Sequence, residues 1–323
     1  MSTIVTPFGF STTAAEVVDG LDFSGRRVVI TGGASGIGIE TARALATIGA
    51  DVTLAVRDTV AAAPVVEELV ASTGNPRVHV VRLDLADRAS ITGLTEAWNG
   101  PLDVLINNAG ILALPELERT AEGWEMQFAV NFLGHVELTL GLHRSLAAAA
   151  DGARVVSLSS SGHLFSPVIF DDLHFDFVPY DPYVAYGQSK TASALLAVGV
   201  TARWAEDGIT SNAVMPGAIA TRLQRHTGGL RTPPERRKSP QQGAATSVFA
   251  ATSPLLTGVG GRYLEDVREA RVVDRRGGDH TGVAPYALDS ANAERLWDTS
   301  RRLLGRTGPE GTRGGRGRSR AVG

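Results

Sequence analysis

Seven short, nearly continuous apolar runs punctuate this chain, at residues 27–31, 51–56, 77–83, 104–107, 154–158, 210–215 and 258–264. Longer stretches with helical spacing fill most of the intervals between them. A strand apolar on both faces must be covered on both, and strands that alternate with helices are joined by crossovers. The pattern therefore predicts an α/β fold in one domain, with a parallel sheet between two helical layers. Residues 1–23 read as a polar arm carrying Phe8 and Phe10, in which Thr13 and Glu16 have the spacing of a capping box for a short helix. Residues 221–240 hold Gly228, Gly229, Pro233 and Pro234 among several arginines, and break the pattern as a long loop before a helix over 242–251. A last helix over 291–304 would align Ala293, Leu296, Trp297 and Leu304 in one apolar stripe. The domain is expected to span 24–305, and the glycine- and arginine-rich stretch 306–323 reads as a disordered basic tail.

Composition narrows the partners. With 43% hydrophobic and 20% charged residues and a formal charge of −3 over 323 residues, the body has no bias toward a polyanion. The C-terminal arginines resemble flexible RNA-binding segments, but most such tails are simply solvated, so a nucleic-acid partner is not expected. The lack of cysteine removes disulfides, thiolate nucleophiles and cysteine zinc sites. His163 and His174 have no second ligand at helical or hairpin spacing, so no metal is expected. No run approaches the ~18 apolar residues of a membrane span, and no basic-then-apolar leader opens the sequence. The cytoplasm is the default location.

The chemistry begins where the first strand ends. Val28, Val29 and Ile30 run into Thr31-Gly32-Gly33-Ala34-Ser35-Gly36-Ile37-Gly38, and a helix beginning near Ile39 follows at once. Glycines let a backbone approach a pyrophosphate, and a helix N-terminus presents free N–H groups and a partial positive charge. In the first strand-turn-helix unit, this is the position a dinucleotide fold of the Rossmann type requires. Far downstream, Tyr186 and Lys190 stand four residues apart in a helix-forming stretch, so phenol and ammonium share one face. A tyrosine, ordinarily near pKa ~10, needs nearby positive charge to work as an acid or base at neutral pH. Together the two motifs point to hydride transfer.

Five motifs in order, Thr31 to Gly38, Asp84-Leu85, Asn107-Asn108-Ala109-Gly110, Tyr186 to Lys190 and Pro216-Gly217, make the chain resemble a short-chain dehydrogenase/reductase, similar to the retinol-dehydrogenase-like branch. Its glycine spacing, three then one, disfavours the sugar-nucleotide epimerases. The resemblance implies that Thr31, Gly32, Ser35, Gly36, Ile37 and Gly38 cradle the pyrophosphate and that Asp84 and Leu85 flank the adenine. Asn107 and Gly110 would support the strand beneath it, Asn108 and Ala109 would join Gly110 at the cofactor, and Pro216, Gly217, Ile219 and Thr221 would hold the nicotinamide carboxamide. The acidic residue that accepts NAD ribose hydroxyls falls at Val56, and Arg57 follows it. Valine cannot accept those bonds, whereas a guanidinium pairs with a 2′-phosphate, so NADP(H) is the expected cofactor.

A carbonyl oxygen under hydride attack needs a second donor. Ser160, at the end of the fifth strand, is the expected one, with Ser159 and Ser161 as alternatives in the same triplet. The resemblance makes Asn131 the residue whose backbone holds a water against Lys190, and gives Lys190 the nicotinamide ribose hydroxyls. The aromatics of residues 163–183 either wall an apolar pocket or pack that insertion onto the body. The expected activity is an NADP-dependent interconversion of carbonyl and alcohol on a small to medium lipophilic substrate, with Asn131, Ser160, Tyr186 and Lys190 as the catalytic set. The rival is a dinucleotide-sensing regulator or scaffold, and an enoyl reductase is disfavoured by its usually wider tyrosine–lysine spacing. Family members often pair through two long helices, which leaves a homo-oligomer among the expectations.

Overall fold

The computed structural model describes residues 3–306. Its apolar runs become β1 (Arg27–Thr31), β2 (Asp51–Val56), β3 (Val78–Arg82), β4 (Val104–Asn107), β5 (Ala153–Leu158), β6 (Ile209–Met215) and β7 (Tyr263–Glu265), joined by β8 (Arg268–Glu269). They form one sheet in the order β3-β2-β1-β4-β5-β6-β7-β8, parallel throughout except for β8, which runs antiparallel to β7. The strand order reverses between β1 and β4, and a crevice at such a switch point is where α/β sheets bind nucleotides.

Alternation along the strands sends the core to both faces. Val29 and Leu105 point toward Phe128, Phe132, Leu195 and Trp297. Val28, Ile30, Leu54 and Ile106 point the other way, toward Leu45, Val248 and Phe249. This is the Rossmann-like α/β domain that the continuous apolar runs require. The helix Pro240–Thr252 begins on a Ser239 capping box with proline at its first turn, and the last helix, Ser290–Leu303, buries Ala293, Leu296 and Trp297 as one stripe.

Four features depart from the sequence reading. The helix after the glycine turn starts at Ile37, two residues early. The seventh strand is only Tyr263–Glu265, because 258–262 is turn and bend. β8 was not expected at all. The loop 221–240 is not featureless: it contains two 3₁₀ turns, Arg222–His226 and Pro234–Arg236, and Ile219 bridges Lys238 at its base. At the N-terminus the capping box is present, with Thr13 accepting from Glu16 N and the Glu16 carboxylate accepting from Thr13 N. The arm lies on the body, its Ala14, Val17 and Val18 buried among core residues that include Phe249. The expected tail from 307 onward falls outside the described residues. Among the described residues, no helix is long and apolar enough to cross a membrane.

Candidate active site

The residues singled out from sequence collect at the C-terminal edge of the parallel strands. The glycine turn leaves β1 with Gly32 and Gly36 both at positive φ, 65° and 55°, a conformation glycine adopts without strain. Space is as restrictive as torsion at Gly38, where a Cβ would lie 2.6 Å from the Gly32 carbonyl oxygen. Asn108 donates its side-chain amide to the Thr31 carbonyl at 2.7 Å, and the Asn108 and Ala109 N–H groups both donate to the Thr31 hydroxyl at 2.9 Å. The turn is thereby fastened to the end of β4, and such a cradle fits a pyrophosphate.

The helix Pro182–Trp204 starts with Asp181 capping Tyr183 and Val184 and buries Tyr186 and Lys190 on one face. The three serines after β5 diverge. Ser159 turns its hydroxyl onto the Lys190 carbonyl at 2.8 Å. Ser160 caps the 3₁₀ turn Ser161–Phe165, accepting from Gly162 N at 3.0 Å, and its hydroxyl lies on the tyrosine's side of that turn, where a Cβ on Gly162 would fall 3.4 Å from Ser160 Oγ and 2.6 Å from Tyr186 Cε1. Ser161 begins that turn. Of the triplet, Ser160 is the one whose hydroxyl lies beside the tyrosine ring across Gly162.

The Lys190 ammonium donates to the Leu158 carbonyl at 3.0 Å and lies 5.7 Å from the centre of the Tyr186 ring. Burial pushes it down to about 8. Burial also pushes the Tyr186 phenol up to about 12, against the opposing pull of Ser160. Both shifts have one main cause, since both groups are buried and loss of hydration disfavours each charged form.

Asn131 lies in a π-helical turn, Ala129–Leu133. Its side chain accepts from Ile111 N at 2.8 Å and donates to the Ile111 carbonyl and the Ser189 hydroxyl. Its backbone oxygen meets Nδ1 of His135 at 3.0 Å and the Ser193 hydroxyl at 3.3 Å. His135 was missed by sequence reasoning. The Thr31 hydroxyl already accepts two N–H bonds, so it donates to His135 Nε2, 2.9 Å away, which leaves the proton on Nδ1. The ring is buried and its pKa falls to about 4, so it stays neutral.

At the end of β2, Val56 is buried and Arg57 exposed. Asp58 caps the following helix by accepting from Ala61 N at 2.9 Å. Asp84 accepts from Ala86 N, and Leu85 packs against Gly134, whose Cβ would fall 2.4 Å from the Leu85 carbonyl. The Pro216 to Thr221 segment folds back over the glycine turn, since a Cβ on Gly36 would meet the Thr221 methyl at 3.2 Å. Gly217 has φ 105°, and Ile219 is buried and bridges Lys238.

Of the two readings of the aromatic insertion, packing onto the body is the one its contacts show. Phe175 packs on Tyr180, whose hydroxyl donates to the Leu114 carbonyl, and Phe170 lies under Arg295. Phe165 instead meets Tyr183 and His280 at the end of the helix that carries Tyr186. A cleft of about 360 Å³ opens nearby, between Thr221, Arg225 and Leu230, without Tyr186 in its wall.

A dinucleotide cradle at a switch point, beside a buried tyrosine–lysine pair, defines a nicotinamide-dependent oxidoreductase. Residues 26–229 match the short chain dehydrogenase family, to which the chain belongs. It is 52% identical to a protein named "Probable oxidoreductase" from Streptomyces antibioticus, over 86% of this chain and 97% of that one. It is 40% identical to mouse (Mus musculus) polyprenol dehydrogenase, over 88% of this chain and 85% of that one. Among solved structures, an uncharacterized protein from Mycobacterium paratuberculosis superposes with a TM-score of 0.70 at 30% identity, over 92% of this chain and 98% of that chain. The protein is thus an NAD(P)-dependent dehydrogenase or reductase acting on small molecules.

Proposed function

We propose that this enzyme uses NADP(H) to interconvert a carbonyl and an alcohol on a small to medium lipophilic molecule. The observation that carries the reading is the Lys190 ammonium buried 5.7 Å from the centre of the Tyr186 ring, with the Ser160 hydroxyl on the same side, since a Cβ on Gly162 would meet both Tyr186 Cε1 and Ser160 Oγ. Two hydroxyls converge there on the place where one substrate oxygen would sit. Bound NADPH supplies the hydride that reduces the carbonyl carbon. The chain's own residues do the rest. Ser160 and Tyr186 both donate to the oxygen as it gains charge, and Tyr186 then gives it a proton. A phenol held at about 12 keeps that proton through neutral pH, which suits the reductive direction. Lys190 stabilises the tyrosinate left behind and holds the ribose hydroxyls, while Asn131 orders Ser189 and the Ile111 segment after β4 around it.

Arg57 supports the choice of NADP(H), because its exposed guanidinium follows a residue with no carboxylate and Asp58 is engaged as a helix cap. Phe165 and Tyr183 form an aromatic wall near Tyr186 suited to an apolar substrate, in keeping with a relative that bears the name polyprenol dehydrogenase. The test is a screen of purified protein with NADPH against ketones, aldehydes and quinones, followed by Tyr186→Phe on whichever substrate turns over. The variant removes one oxygen from a buried ring, so NADPH affinity should persist while kcat falls by roughly 10²- to 10⁴-fold. Retention of more than about a tenth of kcat would overturn the catalytic assignment. NADPH binding without turnover of any substrate would favour a dinucleotide sensor.

A further inference from the structure

The Ser160 peptide is held from behind by two side chains that touch neither the cleft nor the cofactor cradle. His163 is fully buried and Tyr263, on β7, is 1% exposed. The Tyr263 hydroxyl donates to the Ser160 carbonyl at 3.0 Å, and His163 Nδ1 lies 2.7 Å from the same oxygen and 3.1 Å from the Tyr263 hydroxyl. On its other side, His163 Nε2 accepts from Ala284 N at 3.1 Å. That bond fixes the tautomer, because Nε2 can accept only if it carries no proton, so Nδ1 is the donor to Ser160. The His163 carbonyl is in turn held by the Tyr286 hydroxyl at 2.7 Å and the Thr191 hydroxyl at 3.2 Å. Three separate parts of the chain, β7, the 284–286 segment and the long helix, therefore converge on one turn.

Resting on the proposed role of Ser160, we infer that His163 and Tyr263 form a buried positioning pair that sets the Ser160 hydroxyl against Tyr186. The geometry explains why one short turn needs so many donors. Ser160 is in extended conformation (φ −165°, ψ 158°) and its hydroxyl caps its own turn at Gly162 N. Rotation of the 160–161 peptide would pull the Gly162 N–H from the Ser160 hydroxyl and free it to turn, and the two side-chain donors add to the His163 N–H, 3.0 Å from the same carbonyl oxygen, in opposing that rotation. A ring that is neutral in its bonded state and pressed to about 4 by burial holds this arrangement unchanged across the working pH range. His163 and Tyr263 act through Ser160, so they are positioning residues rather than groups that meet the substrate.

A double-mutant cycle with NADPH and 4-nitrobenzaldehyde tests this. Tyr263→Phe deletes one hydroxyl and keeps the ring, so NADPH affinity and substrate KM should stay within about twofold, while kcat falls roughly tenfold for a displaced catalytic donor. In a Ser160→Ala background the same substitution should change kcat by less than about twofold, since there is no hydroxyl left to position. His163→Asn, which can place an amide N–H near the Nδ1 position, should recover most of the activity lost in His163→Leu. Equal loss of kcat from Tyr263→Phe in both backgrounds, or no loss in either, overturns the inference. Full activity in Ser160→Ala alone removes Ser160 from the catalytic reading itself, a separate failure. A readout without substrate comes from histidine-selective NMR: two slowly exchanging imidazole Nδ1–H signals are expected in the wild type, from His135 and His163, and the one lost in His163→Leu should shift in Tyr263→Phe; its absence at neutral pH would equally refute the pair.

Discussion

Replacing Lys190 with methionine should make the protein more stable and inactive, with a pH dependence that identifies the cause. The ammonium is buried, makes one hydrogen bond, to the Leu158 carbonyl, and has its pKa pushed from 10.5 to about 8 by loss of hydration alone. A downward shift of that size means the charged form is disfavoured in the fold by about 3 kcal/mol, at ~1.4 kcal/mol per unit. The sign follows from proton counting. Below pH 8 the lysine is protonated in both states and the whole penalty acts on the native one. Between 8 and 10.5 the unfolded state binds more protons, so wild-type stability from this group rises with pH until the penalty is gone. Methionine fills a similar volume without charge, and costs about 1 kcal/mol for the donor lost at Leu158. The net gain at pH 7 is about 2 kcal/mol, or roughly 3 to 6 °C in Tm for a domain of this size. Near pH 10 it should vanish. Urea titrations of both proteins at pH 7 and pH 10, beside NADPH titrations at pH 7, decide the matter. A variant less stable than wild type at pH 7, or a gain that is the same at both pH values, would refute the reasoning. Stabilisation with lost NADPH affinity and turnover is the expected trade, because the strained group is the one proposed to serve catalysis.

Arg57→Ala should weaken NADPH about ten- to hundredfold and leave NADH nearly unchanged, since a charge-assisted pair with a 2′-phosphate contributes about 1.5–3 kcal/mol. Fluorescence titration of the two nucleotides checks it, and equal affinities in the wild type would refute it. Stability should vary little between pH 4.5 and 6.5, because opposed shifts cancel there. His135 and His163, lowered to about 4, cost stability as the pH falls from 6.5, whereas Glu125 and Glu265, raised to about 7 by burial, restore it over the same range. Glu265→Gln removes one compensating group, so its melting temperature should drop more than that of wild type between pH 7 and pH 5, by the equivalent of about 2 kcal/mol; parallel curves would contradict the assignment.

What the sequence disclosed was whatever is written in short-range pattern. Continuous apolar runs such as residues 104–107 and 153–158 are buried on both faces whatever their neighbours do, so the sheet was legible. The glycine turn and the Tyr186–Lys190 spacing are local for the same reason, and both lie where the motif placed them. β8 was illegible because it rests on a two-residue turn, Asp266-Val267, with φ 51° and 61° and none of the glycine or asparagine that marks such turns. A β-branched residue is strained in that conformation, and tertiary contacts hold it: Val267 is fully buried and donates to Thr246, while Asp266 pairs with Lys238.

The same distinction applies inside the site. A helix face announces that Tyr186 and Lys190 belong together, but nothing local distinguishes Ser159, Ser160 and Ser161, which differ only in where the chain bends after β5. That bend is set 100 residues away, by Tyr263, and 121 residues away, by the Ala284 N–H that orients His163. His135 escaped notice in the same way, because its partner Thr31 is 104 residues distant. The groups that carry the chemistry are thus local in sequence, and those that aim them are not. The helix fixes the tyrosine relative to the lysine, but only the assembled sheet can fix the serine relative to the tyrosine. A folding defect confined to the β7 edge should then reach the Ser160–Tyr186 contact before it reaches the cofactor cradle, which is tied instead to β4 through Asn108.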